Sequence, residues 1–65
     1  MSIRDEIKTL FDRALHDDRN IVNGKIDWDF VDADVMITLG VDRVVEELGF
    51  GDYAKLFTSL VEQTQ

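Results

Sequence analysis

Along residues 27–40 the apolar and acidic positions alternate with a helical spacing. Wound at about 100° per residue, the stretch puts Trp28, Val31, Val35 and Leu39 on one side. Phe30, Ala33 and Ile37 fall on roughly the opposite side, and Asp29, Asp32 and Asp34 lie in the strips between. A helix that is apolar on two sides is ordinarily covered on two sides. This stretch is therefore expected to be the helix around which the others pack. Asp27 before it suits an N-cap, and Gly40 after it suits a stop. A later start at Asp32, with residues 28–31 as an irregular lead-in, is the alternative.

The remaining pattern predicts three more helices. Ser2, followed by Asp5 and Glu6, reads as a cap with acids in the first turn. Ile3, Ile7, Leu10, Phe11, Ala14 and Leu15 then recur at three- and four-residue steps, which predicts an amphipathic helix over residues 3–16. Lys8 with Asp12, and Arg13 with Asp17, stand at i,i+4 spacing on its outer side, each pair worth about 0.2–0.5 kcal/mol. Residues 17–25 are a connection. Asn23-Gly24 is a turn signal between Ile21-Val22 and Lys25-Ile26, but arms this short do not stand alone. The segment is expected to be a loop with anchored apolar side chains and a minimal β-bridge. Val41, Val44, Val45 and Leu48 mark a short third helix ending at Gly49. Phe50 and Gly51 form a tight joint, and Asp52 caps a fourth helix with Tyr53, Leu56, Phe57, Leu60 and Val61 on its inner side. Residues 63–65 are expected to fray. The fold class is all-α, a compact four-helix domain with short connections.

Size and composition narrow the reading. Sixty-five residues make one domain, and a chain this short buries only about 60% of its unfolded surface. Hydrophobic residues make up 45% of it, a large share for so small a body, so either the packing is very efficient or some apolar surface meets a partner, with self-association the favoured expectation. With no cysteine there is no disulfide and no thiolate metal site, which fits a cytoplasmic protein. No apolar run approaches a membrane span, and no signal-peptide pattern stands at the start of the sequence.

Charge adds a direction. The net charge is −7. Residues 1–26 hold five basic residues against five acids and sum to zero, whereas residues 27–65 hold nine acids against Arg43 and Lys55. The whole excess therefore belongs to the second part of the chain. Such a surface repels nucleic acid and anionic membranes and attracts basic proteins.

The acids from Asp27 to Asp34 admit two readings. Acids near a helix start cap it and complement its dipole. They also form the beginning of an acidic recognition face of Asp29, Asp32, Asp34, Asp42, Glu46 and Glu47, continued by Asp52 and Glu62. A divalent-cation site fits poorly, because these carboxylates are spread around a helix. Residues 23–27 match the middle of a calcium-binding loop, but its first, third and twelfth positions are then Arg19, Ile21 and Phe30, which supply no carboxylate. His16, the sole histidine, ends the first helix without a nucleophile or second acid nominated beside it. Neither Ser2 nor Ser59 has a nucleophile-elbow setting, and no phosphate-binding glycine loop is present. No catalytic residue, cofactor site or metal site is expected. Trp28, Phe30, Phe50, Tyr53 and Phe57 are expected in the core; Phe30 and Ile37 would form a hydrophobic interface wherever the fold leaves them uncovered.

Residues 44–57, with their Leu48-Gly49 joint and the spacing of Tyr53 and Phe57, resemble the first two helices of a sterile alpha motif domain. The resemblance implies a helix–joint–helix arrangement there. Acidic helical carrier proteins are similar in size and charge, but Asp32-Ala33-Asp34 and Thr58-Ser59-Leu60 both lack the Asp-Ser-Leu that their prosthetic arm requires. The sequence thus points to a non-enzymatic interaction protein that binds, and modulates or inhibits, a protein partner with a basic surface. A nucleic-acid-binding protein, met by carboxylates in place of phosphates, is one such partner. Small acidic helical chains of phages and mobile elements offer the analogy. Direct nucleic-acid or membrane binding is not expected. A structural module that self-associates into a homodimer through apolar surface is the alternative.

Overall fold

The structure, a computed structural model, describes residues 2–65. Helix α1 runs over Ile3–Leu15, and Ser2 starts it by accepting the Asp5 N–H at 3.2 Å. A single 3-10 turn, Asp18–Asn20, follows, capped by Asp17. Strands β1 (Ile21–Val22) and β2 (Lys25–Ile26) pair antiparallel, with Ile21 opposite Ile26 and Val22 opposite Lys25. Asn23 and Gly24 between them both carry positive φ, 54° and 78°. That is the turn whose twist suits a two-residue hairpin. The expected anchoring of both arms is not found, because Ile21 and Val22 are exposed and only Ile26 is half-buried. Backbone bonds hold the hairpin instead, including Asp27 N–H to the Asn20 carbonyl at 2.8 Å.

Helix α2 covers Trp28–Leu39 and begins at the first of the two expected starts, since Asp27 accepts the N–H groups of Asp29 and Phe30. Helix α3 covers Val41–Glu47 and helix α4 covers Phe50–Thr64. Gly40 (φ 92°) ends α2 and begins α3, and Gly49 (φ 89°), just after the Leu48 that ends α3, begins α4. A side chain at either place would strain the reversal, so one glycine does what a longer loop would otherwise do. For the same reason Asp52 is not the cap of α4. Gly49 starts that helix, Phe50 and Gly51 lie inside it, and Asp52 falls in its first turn. The helix also continues to Thr64, whose hydroxyl donates to the Leu60 carbonyl at 2.9 Å, rather than fraying from residue 63.

The buried apolar residues are Ile7, Phe11 and Ala14 of α1, Val31 and Val35 of α2, Val44 of α3 and Tyr53 of α4. Phe11 is the aromatic hinge of this core. Trp28 stacks on it with ring centroids 6.0 Å apart, and Phe57 meets it edge-on at 5.5 Å. Both are geometries that aromatic pairs favour. The arrangement is an all-α four-helix domain with a two-strand hairpin, built around the contact of α1 with α2. Helix α4 packs on α1 and α3 and reaches α2 through Tyr53.

The expectation that α2 is wrapped on both sides is overturned. Its Trp28, Val31, Val35 and Leu39 side faces the core, but Phe30 is 49% and Ile37 78% exposed, with Ala33 exposed between them. Phe50 also lies outside the core it was expected to join. The total surface, 4410 Å², is close to the ~4200 Å² of an ordinary folded monomer of this mass. The chain thus reaches normal compactness with one side of α2 bare.

Truncating the two sides of this region should cost very different amounts. Ile7→Ala opens a cavity in the core and should lose about 2–5 kcal/mol. Ile37→Ala should stay within about 0.5 kcal/mol of the parent. Urea unfolding of both variants checks this, and equal losses would mean that α2 is covered on both sides after all.

Candidate functional site

The carboxylates proposed for a recognition face divide into two groups by what they touch. Asp32 is half-buried and accepts the Tyr53 hydroxyl at 2.6 Å, fastening α4 to α2. Burial first, and this carboxylate second, push the Tyr53 phenol well above its ordinary value of 10.0. Asp34 accepts the Asn20 side-chain amide at 3.0 Å. Asn20 is itself buried, and the same amide nitrogen donates to the Ala14 carbonyl at 3.0 Å. One side chain thereby ties the end of α1 and the 3-10 turn to the middle of α2. A buried amide without partners would cost about 1–3 kcal/mol, so these bonds matter. Glu47 pairs with Arg43 at 2.7 Å, and the other edge of that guanidinium grips Glu6 across from α1. The Arg43 hydrogen bond holds the Glu6 carboxyl below its ordinary range.

Asp29, Asp42 and Glu46 are different. All three are exposed, and among the described residues none has a cation within ion-pair distance. Asp29 and Asp42 sit in the first turns of α2 and α3, where the helix dipole favours an acid. Glu46 has no such place. It stands one turn after Asp42, and like charges at that spacing repel by about 0.2–0.5 kcal/mol. Arg43, between them in sequence, is held by Glu6 and Glu47. Exposed Val41 and Val45 run beside this acid pair on the same short helix.

The uncovered side of α2 forms the wall of a shallow depression of about 320 Å³, lined by Arg19, Asn20, Phe30, Ala33, Asp34 and Ile37. Arg19 brings no free charge to it. Its Nη2 lies 2.6 Å from Asp17, and that contact holds the Asp17 carboxyl down to about 2. The i,i+4 pair expected between Arg13 and Asp17 does not form, because α1 ends at Leu15 and Asp17 turns to Arg19 instead. His16 ends α1, with Nδ1 donating to the Asp12 carbonyl at 2.8 Å. Among the described residues no three histidine or acidic side chains converge on a common point. Among the described residues no helix is long and apolar enough to cross a membrane. What the arrangement offers chemically is an apolar strip and unneutralised carboxylates on the outer sides of α2 and α3.

The division between fastened and free acids is directly testable. Tyr53→Phe removes the donor to Asp32 and should cost about 1–2 kcal/mol, whereas Asp29→Asn should change stability by less than about 0.5 kcal/mol. The folded phenol releases its proton only well above the unfolded one. The Tyr53 contribution is therefore complete below the ordinary value of 10.0 and fades as pH rises past it. Urea titrations across alkaline pH should show that decline in the parent and a flatter curve in Tyr53→Phe.

No protein-family model matches this chain, and neither does a curated protein or a solved structure.

Proposed function

We propose that the chain is a non-enzymatic interaction protein whose acidic second half binds, and modulates or inhibits, a protein partner with a basic surface. The observation that carries this reading is the state of Arg43. It is one of the two cations in residues 27–65, and Glu6 and Glu47 already occupy it, so Asp29, Asp42 and Glu46 have no counter-charge among the described residues. Capping and dipole effects explain why acids stand at helix starts. They do not neutralise the field those acids project, and that field steers and orients a basic partner. A nucleic-acid-binding protein with an occupied phosphate site is a member of that partner class.

A second reading has its own observation. Phe30 and Ile37 are large, exposed and on one side of α2, as a self-associating structural module requires. That contact is apolar and holds at high salt, whereas an acidic contact weakens as the screening length falls from ~10 Å at 0.1 M salt to ~3 Å at 1 M.

The variant Asp29→Lys, Asp42→Lys, Glu46→Lys leaves every internal hydrogen bond of Asp32, Asp34 and Glu47 in place. Capture from the source cell, read by mass spectrometry at low and high salt, should retain basic proteins on the parent at low salt only. The triple variant should lose them with its circular dichroism unchanged. Retention of the same proteins by the triple variant would overturn the acidic-surface reading.

A further inference from the structure

We infer that the outer side of α2 is a docking strip for one amphipathic helix of a protein partner, a helix with an apolar stripe bordered by lysine or arginine. This deepens the reading above and rests on it. Phe30, Ala33 and Ile37 follow one another at steps of three and four, the spacing at which a helix presents a continuous stripe. Ala33 is small and lies between two large side chains, so the strip has a low centre and raised ends. Helix-in-groove recognition uses this relief, with apolar anchors of the incoming helix at i, i+3 or i+4, and i+7.

Charge selects the occupant. On the helical wheel Asp29 borders the strip on one side and Asp34 on the other. Asp34 spends one oxygen on Asn20, and the second has no hydrogen bond among the described residues. The cation at this rim, Arg19, is 84% exposed and already pairs with Asp17. An apolar strip between two acids is complementary to an apolar stripe between basic residues. It is unsuited to a second copy of this chain. That copy would bring another net −7 and the same acid borders against the first, at a cost in self-repulsion.

The probe is a pair of synthetic four-turn peptides made only of leucine and lysine. In one, leucines repeat at i, i+3, i+4 and i+7; in the other the same residues are permuted so that no apolar stripe forms. Calorimetric titration and backbone-amide chemical-shift mapping are run on the full chain, on Phe30→Ser, on Ile37→Ser and on Val22→Ser. The striped peptide should bind the parent at least about tenfold more tightly than its permuted form, the size of effect a buried apolar anchor supplies. Shifts should centre on Phe30, Ala33 and Ile37. Phe30→Ser and Ile37→Ser, both surface positions, should fold normally by circular dichroism and lose the preference for the stripe. Val22→Ser, which removes an exposed apolar group elsewhere, should keep it. Equal affinity for the two peptides overturns the docking strip while leaving the acidic reading standing. Binding of neither peptide overturns both. A molar mass that doubles with concentration in the parent but not in Ile37→Ser also overturns the inference, since a second copy then covers the strip.

Discussion

The structure depends on α1 lying along α2. Among the described residues, five of the seven buried apolar ones, Ile7, Phe11, Ala14, Val31 and Val35, come from these two helices. Helices α3 and α4 add one buried residue each, Val44 and Tyr53, and half-buried side chains that include Phe57 on Phe11. Once α1 has covered one side of α2, the other side stays exposed among the described residues. The bare strip of Phe30, Ala33 and Ile37 is thus the second apolar side of a helix that the described elements cover on one side only.

Contact between elements also sorts the acids. Where a donor reaches a carboxylate from another element, the acid becomes a fastener. The Tyr53 hydroxyl takes Asp32, the Asn20 amide takes Asp34, and Arg43 joins Glu47 to Glu6. Asn20 is the economical member of this set. Its side chain serves both Ala14 and Asp34, and its carbonyl takes the Asp27 N–H just where α2 begins. With seven basic residues against fourteen acids, the donors run out, and Asp29, Asp42 and Glu46 are among those left facing water. Their freedom is therefore a matter of geometry as much as of composition.

Local signals carried the architecture well. Ser2, Asp27, Gly40 and Gly49 mark helix ends through chemistry confined to a few neighbouring residues, and each acts where the pattern placed it. Errors arose where two local signals competed. Asp52 is a good cap, but a positive-φ glycine three residues earlier had already turned the chain. Arg13 and Asp17 have helical spacing, but the helix stops between them. The site was less legible than the fold. The roles of Asp32 and Asp34 are set by partners 21 and 14 residues away, which no periodicity reveals. Asn20 gave no signal at all, since an asparagine in a connection ordinarily reads as a turn residue. For α2 the pattern revealed two apolar sides. Which side wins is decided by the reach of α1, and that is a property of the whole chain.

Why should a free acid and a bare apolar strip on the same helix belong to one event? Each alone is unremarkable, because single exposed apolar residues and dipole-favoured acids are common on monomers. Together they divide the labour of association. Carboxylates act over about a Debye length, so they raise the encounter rate and orient a basic partner before contact. Apolar side chains act only on contact, and they set how long the complex lasts. Under the proposed reading, Asp29, Asp42 and Glu46 govern how fast the partner arrives, and Phe30 and Ile37 govern how slowly it leaves. Asp32 has already been drawn into the fold and Asp34 spends one oxygen there, whereas Asp29, Asp42 and Glu46 supply a field whose loss the fold tolerates. A surface that can change without unfolding the core is one on which partner choice can be tuned independently of stability.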